Sequence, residues 1–399
     1  MPYIKRRGRQ MKKLVILILV LSFSAISAQI LNFYEPETND TRSEALGRTS
    51  ILSSSKANFL FNNTSQLGFM KKKSIQVNCR ANLGTYNRTV EDENDIYEDE
   101  NDYPLHIKLN GISFAFPITY PNRKDLQIGL GIGYRTYYDF GYKRECESEY
   151  DDETYTLDSS GGFNIIVLGG GISYEQRIAG GISLSFPFSS SVETEEEYDD
   201  GEFYKSDFDL SGYFFTLSGS YKINDLITIA ARLRTGYELE HEYSGNGTTQ
   251  GYNMEIPYEL GFATELRPNG NVSLFAEYLT RNFDDYEVFN YNPNGITDKG
   301  YSFRTGFEIG NESAFRGGFF MQSVPIYKKK YDDEFLEHDK NPLTEYGLTL
   351  GAGAKLNNFF TLDIAAAYSF LNYDDKVSES NYSYEYSKFK IGCSLAYQF

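Results

Sequence analysis

Side chains that could act as nucleophiles or proton carriers are scarce in this sequence. The histidines are His106, His241 and His338, and the cysteines are Cys79, Cys146 and Cys393. A serine hydrolase needs a serine held beside a histidine, and no histidine here is followed by a serine two residues later. The cysteines form no CxxC pair, and no spacing between histidine and cysteine suits zinc. The sequence therefore predicts no enzyme, no metal site and no cofactor.

Arginines in alternating apolar stretches offer a different chemistry, because a guanidinium group binds a carboxylate through two parallel hydrogen bonds. The expected ligand-binding candidates are Arg304, Arg316 and Arg232, with Phe275, Leu279 and Phe320 as apolar wall for the ligand. The alternative is that these arginines form internal ion pairs, since buried charges need partners whether or not a ligand binds. The other charged residues predicted to face the same interior are Arg234, Glu259, Glu265, Glu277, Glu308 and Asp363.

The segments that carry these residues repeat one pattern after residue 72. Stretches rich in aromatic, β-branched and glycine residues alternate with connectors, and inside each stretch apolar residues alternate with small or polar ones. Period-two alternation predicts a strand with one apolar face. Fourteen strands are predicted, at 73–87, 105–120, 126–140, 162–176, 180–192, 206–222, 226–239, 254–267, 271–285, 299–310, 315–327, 343–356, 359–373 and 386–399.

The connectors alternate in kind along the chain. Short turns such as Asn224-Asp225 and Asn269-Gly270 alternate with long acidic connectors such as residues 145–158 and 240–253. Short turns at one end and long loops at the other are typical of outer-membrane barrels. The sequence therefore predicts an all-β fold, a 14-stranded antiparallel transmembrane β-barrel over residues 73–399. We expect it in the outer membrane of a Gram-negative bacterium, with both barrel ends on the short-turn side.

The alternation also predicts which face of each strand meets lipid. In the last strand Leu395 alternates with Ser394 and Ala396, so apolar side chains should face lipid and small ones the lumen. The alternation changes parity near Gly111, which predicts a β-bulge. The aromatic residues expected to form girdles at the membrane interfaces are Tyr137, Tyr138, Tyr368, Phe370 and Tyr397.

Residues 1–28 have the pattern of a secretory signal peptide. Lys12 and Lys13 precede an apolar run at residues 14–26, and Ser27-Ala28 offers a cleavage site of small residues. Met11 is an alternative start. Removal of residues 1–28 takes away six basic and no acidic residues, which changes the net charge from −18 to −24. A protein this acidic is not expected to bind nucleic acid.

Residues 29–72 lack the strand alternation. They carry apolar side chains such as Phe59, Leu60 and Phe61, whereas a segment stays disordered when it has few of them. We expect this segment to be a periplasmic hatch, a plug folded against the barrel, rather than a disordered tail.

These segments resemble the long-chain fatty acid transporter (FadL-type) family of outer-membrane proteins. Leu46-Gly47-Arg48 and the run from Asn62 and Asn63 to Leu67 are similar to the family's hatch. The stretches similar to its C-terminal repeats are residues 303–307, 316–319, 323–325, 348–354 and 362–370. The final Tyr397-Gln398-Phe399 resembles the signal that the barrel-assembly machinery reads in many barrels.

The resemblance implies passive, ligand-gated transport of hydrophobic compounds such as long-chain fatty acids. The hatch, with Leu46, Gly47, Asn62 and Asn63, would shift to release the ligand. The implied partners are a hydrophobic small molecule, outer-membrane lipid and lipopolysaccharide, and the barrel-assembly machinery through Phe399. An alternative function is an adaptor or shuttle subunit of a protein secretion system, since some relatives of this fold carry cargo at the cell surface.

Two cysteines fall on strands that must meet. Cys79 and Cys393 lie on the first and last predicted strands, both at lipid-facing positions. Because these strands pair when a barrel closes, we expect the two residues to be neighbours. A disulfide between them is one hypothesis that this placement raises.

Overall fold

The computed structural model describes residues 40–399 apart from 92–95, 120–121, 124, 140–141, 148–153, 199–202, 246–247, 283–298, 325–328, 333–334, 339–342 and 378–379. The predicted signal peptide and residues 29–39 lie outside the described residues. Within the described part of the chain, no helix is long and apolar enough to span a membrane.

Twenty-one β-strands form one sheet that closes on itself. They are β1 (Ser74–Glu91), β2 (Ile96–Thr119), β3 (Leu126–Asp139), β4 (Tyr142–Glu147), β5 (Thr154–Tyr174), β6 (Ile178–Pro187), β7 (Ser191–Tyr198), β8 (Phe203–Ser211), β9 (Phe214–Lys222), β10 (Ile227–Arg234), β11 (Tyr237–Gly245), β12 (Thr248–Ile256), β13 (Glu259–Asn269), β14 (Val272–Asn282), β15 (Lys299–Ile309), β16 (Ser313–Val324), β17 (Lys329–Asp332), β18 (Phe335–His338), β19 (Leu343–Lys355), β20 (Phe360–Val377) and β21 (Ser380–Gln398). The sheet closes where β1 pairs with β21, antiparallel, from Ser74 opposite Gln398 to Glu91 opposite Asn381.

Several pairs of consecutive strands lie end to end and together form one strand of the barrel wall. The continuations are β3 into β4, β6 into β7, β8 into β9, β10 into β11 and β12 into β13, while β17 and β18 form a hairpin between β16 and β19. When each end-to-end pair is counted as one strand and the β17–β18 hairpin is left out, the wall has fourteen antiparallel strands at the fourteen predicted positions. The prediction of a 14-stranded barrel is confirmed.

The long acidic connectors are in part strand, which the sequence did not predict. β4 pairs with the start of β5, from Tyr142 opposite Ser159 to Glu147 opposite Thr154, inside the predicted loop at 145–158. β11 and β12 pair in the same way inside the predicted loop at 240–253. The wall is therefore taller on the acidic side, because these hairpins extend the backbone hydrogen-bond ladder of the strands below them.

The predicted alternation of faces is confirmed. In β21, Cys393 and Leu395 are exposed whereas Ser394 and Ala396 are buried. The same pattern recurs around the wall, so the outer surface is apolar and the lumen is lined by small and polar residues. An apolar outer belt on a closed sheet with an even strand number is the arrangement of bacterial outer-membrane barrels.

Two of the four register shifts in the described ladders bear on the sequence predictions, and one of them corrects a prediction. Opposite β1, the register skips Asn110 close to the bulge predicted at Gly111. A second shift lies between Thr136 and Tyr138 of β3. Tyr137 and Tyr138 are buried in the lumen, so their expected place in an interfacial girdle is wrong. A bulge redirects side chains locally, and here it directs both rings inward.

Residues 40–70, called the plug below, lie inside the barrel. The plug contains two short α-helices, α1 (Thr41–Ala45) and α2 (Phe59–Asn62), and two 3-10 helices at Lys56–Asn58 and Thr64–Phe69. Leu46, Ile51, Leu60 and Leu67 are fully buried. The burial of these apolar side chains against the wall agrees with a folded segment and not with a disordered tail.

An arginine on the lipid-facing surface should destabilise the barrel more in the middle of a strand than at its end. Leu350 is 58% exposed near the middle of β19, and Leu356 is 44% exposed in the short turn after it. Leu350→Arg should lower the free energy of unfolding in phospholipid vesicles by about 2–4 kcal/mol, and Leu356→Arg by about 0–1 kcal/mol. Urea titration of both variants measures the difference, and equal losses would contradict the membrane placement.

Candidate ligand-binding site in the barrel lumen

Asp40 joins the start of the plug to its middle. Its carboxylate caps α1 by accepting hydrogen bonds from the backbone N–H groups of Arg42 (2.8 Å) and Ser43 (3.2 Å). It also accepts bonds from the N–H (2.5 Å) and the hydroxyl (2.9 Å) of Ser55. Burial raises the pKa of the Asp40 carboxyl above its usual value, and the hydrogen bonds from Ser55 and Ser43 limit that rise.

Two wall residues hold the plug through its backbone. Glu277 on β14 accepts hydrogen bonds from the N–H groups of Ser50 and Ile51, both 2.7 Å long. Thr349 on β19 accepts a hydrogen bond of 2.8 Å from the N–H of Gly47. Both anchors are buried, so breaking either one would leave polar groups without water to replace the lost bond.

Glycines in the wall let the plug backbone come close to the strands. A Cβ atom on Gly171 would clash with the carbonyl oxygen of Thr64, and one on Gly129 would clash with that of Leu67. Gly47 in the plug has φ +68°, and a Cβ there would clash with wall backbone. Glycine adopts this left-handed conformation without strain. The plug is therefore fitted to the wall by residues that lack a side chain.

A small cavity of about 50 Å³ lies between the plug and the wall. Five arginines line it: Arg135, Arg232, Arg234, Arg281 and Arg304. Among the described residues that line the cavity, Glu259 is the one carboxylate. A second carboxylate, Glu277, lies 3.5 Å from Arg304 outside this lining. Five arginines therefore face two carboxylates, and this excess of buried positive charge favours an anion because little water is present to solvate it.

Glu259 is shared by three of these arginines. One of its oxygens lies 2.5 Å from Nη2 of Arg232, and the other lies 2.7 Å from Nε of Arg281 and 3.7 Å from Nη2 of Arg234. The Nε atoms of Arg232 and Arg234 are buried and have no hydrogen-bond partner among the described residues. A ligand oxygen could accept a hydrogen bond from these donors, because Arg side chains offer Nε and Nη together to a carboxylate.

Aromatic rings pack beside the arginines on the side of the acidic connectors. The ring centroids of Phe214 and Tyr237 are 4.8 Å apart, and Tyr137 lies 5.0 Å from both Phe214 and Tyr138. The guanidinium of Arg234 lies 5.7 Å from the ring centre of Tyr137 and 5.9 Å from that of Phe214. The lumen thus presents an apolar aromatic wall next to a cationic group, which suits an amphiphilic anion.

The predicted ligand arginines are separated by the structure. Arg232 and Arg304 line the cavity, but Arg316 does not. Arg316 lies 2.6 Å from Glu308 and 2.7 Å from Asp363, on a second cavity of about 640 Å³ at the short-turn end. In the β15–β16 ladder Arg316 is opposite Glu308, four residues beyond Arg304. That spacing is roughly 13 Å along a strand. The two guanidinium groups also pair with different carboxylates, Arg304 with Glu277 and Arg316 with Glu308 and Asp363.

The predicted apolar wall residues contact the plug more than the cavity. Phe275 packs in a cluster with Leu46 and Leu52 of the plug. The guanidinium of Arg48, also in the plug, lies 3.9 Å from the ring centre of Phe320. Leu279 belongs to the same cluster as Phe275 and also lines the cavity.

The predicted hatch residues brace the plug from within and against the wall. Asn63 donates a 2.8 Å hydrogen bond to the carbonyl of Ile51, and Asn62 donates a 2.9 Å bond to the hydroxyl of Ser54. Leu46 is fully buried, next to Gly47 and its bond to the wall.

The site also contains residues that were not predicted as ligand-binding candidates. They are Arg135, Arg234, Arg281, Tyr137 and Phe214. The inward parity of Arg135 and Arg234 was visible in the alternation, and Arg234 was among the expected interior charges. The bulge in β3 hid Tyr137, because period-two alternation does not locate an extra residue.

A closed sheet of fourteen strands with an apolar outer belt and a folded segment inside defines a plugged outer-membrane β-barrel. Two solved structures share its fold. The Pseudomonas putida toluene transporter TodX is 13% identical, with 90% of this chain and 98% of that chain covered and a TM-score of 0.58. A Pseudomonas aeruginosa FadL homologue is 11% identical, with 91% and 99% covered and a TM-score of 0.61.

These likenesses show that the chain has the FadL-type barrel fold, as the residue patterns of the plug and the last strands predicted. No family model matches the chain, and no curated protein sequence matches it.

Overpacking at a plug contact should loosen the plug. Gly171→Val places a side chain against the Thr64 carbonyl, whereas a Cβ on Gly180 meets nothing within 4 Å. Overpacking costs about 1–3 kcal/mol, so trypsin should cut the plug of folded Gly171→Val faster by about 5–150-fold. Gly180→Val is the matched control and should be cut at the wild-type rate. Equal rates in the two variants would contradict the tight fit.

Loss of the shared carboxylate should destabilise the barrel more than loss of a peripheral one. Glu259→Gln leaves three buried arginines with a neutral partner, and should lower the unfolding free energy by about 3–5 kcal/mol. Asp125 pairs with Arg123 at 3.1 Å, and their side chains are 35% and 60% exposed, so Asp125→Asn should cost little, because water screens an exposed ion pair. Denaturant titration of the two variants tests this difference, and a cost for Glu259→Gln no larger than that for Asp125→Asn would count against it.

Proposed function

We propose that this protein is a divergent FadL-type transporter that carries hydrophobic molecules with an anionic head group across the outer membrane by passive diffusion. Long-chain fatty acids are the substrate class that fits best. The observation that carries the proposal is the buried cavity lined by five arginines and one glutamate. A neutral substrate would have no use for this excess of positive charge, whose burial is costly without an anion.

The head group and the chain of such a ligand would occupy different parts of the lumen. A cavity of about 50 Å³ has room for a carboxylate but not for an acyl chain. The carboxylate would accept hydrogen bonds from Arg232 and Arg234, including their Nε donors. The chain would lie along Tyr137 and Phe214, which line the cavity on the side from which an external ligand arrives, and along Tyr237, which stacks on Phe214.

Binding of the head group would weaken the hold of the wall on the plug. Nη1 of Arg232 lies 3.4 Å from the carbonyl oxygen of Asn62 and 3.5 Å from the hydroxyl of Ser50. Nη1 of Arg304 donates a 2.9 Å hydrogen bond to the carbonyl of Arg48. A carboxylate that competes for these donors stabilises a state in which the plug contacts are broken. A ligand shifts an equilibrium through such a difference in affinity, and this is the physical basis we propose for ligand gating.

The fold comparisons support transport of hydrophobic compounds but leave the head group open. One structure with this fold is a toluene transporter and another is a FadL homologue. Toluene carries no charge, so the distinction between a neutral and an anionic substrate rests on the arginines of this chain.

The proposal predicts a selective uptake defect. In cells that lack their own transporter, Arg234→Ala should lower uptake of a labelled long-chain fatty acid by about tenfold or more, because hydrogen bonds to charged groups contribute about 1.5–3 kcal/mol. Uptake of labelled toluene should change little. Arg234→Lys should be intermediate, since lysine keeps the charge but not the planar fork.

The matched control is Arg267→Ala, which removes an exposed arginine paired with Glu265 near the short-turn end. It should transport both compounds at the wild-type rate. Folded barrel must be present at equal amounts in all strains. Fatty acid uptake that is unaffected by Arg234→Ala would contradict the anionic head group. A folded wild-type barrel that transports neither compound would contradict transport and favour the adaptor alternative.

A further inference from the structure

Two cysteines face each other across the seam of the barrel. Cys79 on β1 is the direct cross-strand partner of Cys393 on β21. Both are exposed on the outer face of the wall, and both are free thiols in the structure. Because β1 and β21 come from opposite ends of the barrel sequence, no turn joins them, and pairing alone closes the seam.

The backbone spacing at this pair suits a disulfide. Lys73 and Phe399 exchange two backbone hydrogen bonds, each 3.1 Å long. The ladder from there to Cys79 and Cys393 has no register shift, and hydrogen-bonded pairs recur at every second residue of an antiparallel ladder. Cys79 and Cys393 are six residues further along, so they form a hydrogen-bonded pair. The Cα atoms of such a pair are about 5.5 Å apart, which is within the range that a disulfide spans. The Cβ atoms of a hydrogen-bonded pair are also about 5.5 Å apart, so they must approach by about 1 Å to reach the Cβ separation of a disulfide.

The surroundings would protect the bond once it had formed. The next residues outward along the same row are Leu109, opposite Cys79, and Ile364, opposite Cys393. Both are apolar, and the row lies six residues from the chain end at Phe399, within the lipid-facing belt. Thiol–disulfide exchange requires a thiolate, which is unstable in hydrocarbon. The bond must therefore form while β1 and β21 are pairing and water still reaches the seam, and it resists reduction afterwards.

We propose that Cys79 and Cys393 form a disulfide that joins the first and last strands and closes the barrel wall covalently. The oxidant is a periplasmic protein disulfide of the oxidoreductase class, acting as β1 and β21 pair and before lipid covers the seam. Its S–S bond is exchanged through a mixed disulfide. The two thiols of the chain lose two protons and two electrons as their S–S bond forms, and the oxidant is released as a dithiol. The proposal does not depend on which substrate the barrel carries.

Alkylation of the full-length protein from outer membranes tests the pairing. Membranes are denatured in SDS with a maleimide-polyethylene glycol reagent, with or without prior reduction, and the added mass is read on a gel. In Cys146→Ser, which leaves only Cys79 and Cys393, the unreduced protein should take up no reagent and the reduced protein two equivalents. The unreduced protein should remain a monomer.

The expected consequence is a stronger seam. Without reductant, the folded Cys146→Ser barrel should withstand a higher temperature before it unfolds in SDS than Cys146→Ser with Cys79→Ser added. The two should unfold alike if the reductant is added during heating. Two equivalents of reagent on the unreduced Cys146→Ser protein, or a disulfide-linked dimer, would overturn the proposal. These outcomes are independent of any uptake result, and the alkylation test holds even if the Cys79→Ser variant fails to insert.

Discussion

A few buried carboxylates inside this barrel each accept hydrogen bonds from several arginines or backbone N–H groups. Glu259 contacts Arg232, Arg234 and Arg281, and Glu277 accepts two bonds from the plug backbone while it faces Arg304. A buried guanidinium is costly without such partners. The requirement to satisfy these groups fixes where the plug lies, because its carbonyl and N–H groups complete the bonds that the wall alone leaves unmade. Five arginines and one glutamate line the cavity, so the same requirement that holds the plug also creates a preference for an anion there.

Because the plug fits closely against the wall, binding of a ligand head group can change the contacts that hold the plug. Gly129 and Gly171 bring the strands against the plug backbone, and packed interfaces of this kind have discrete arrangements rather than continuous ones. Arg232 and Arg304 contact both the plug and the cavity. A ligand head group that engages them therefore acts on the contacts that hold the plug, without any need for a signal carried over a distance. The aromatic wall above the cavity supplies the apolar contact that a fatty chain needs.

Much of the architecture followed from alternation in the sequence, because lipid and lumen impose opposite demands on successive residues. Strand number, the facing of Leu395 and Ser394, and the parity change near Gly111 were all predictable on that basis. The inward facing of Tyr137 was not, since a bulge adds one residue and leaves no mark in composition. The separation of Arg304 from Arg316 was also hidden. Parity places both in the lumen, but the depth of each in the barrel depends on strand register and on the plug that lies between them. The acidic connectors are predicted as loops because they are long and highly charged, yet hairpin pairing extends the wall through part of them.

We propose that the lumen recognises a carboxylate. Calorimetric titration of the purified barrel with a long-chain fatty acid and with its methyl ester tests it most directly, because the two ligands share a chain and differ in charge. If the arginines around Glu259 form the binding site, the acid should bind at least about tenfold more tightly than the ester, as one charged hydrogen bond of about 1.5 kcal/mol requires. Equal affinities for the acid and the ester would show that the arginines serve only to hold the plug, and would contradict recognition of a carboxylate in the lumen.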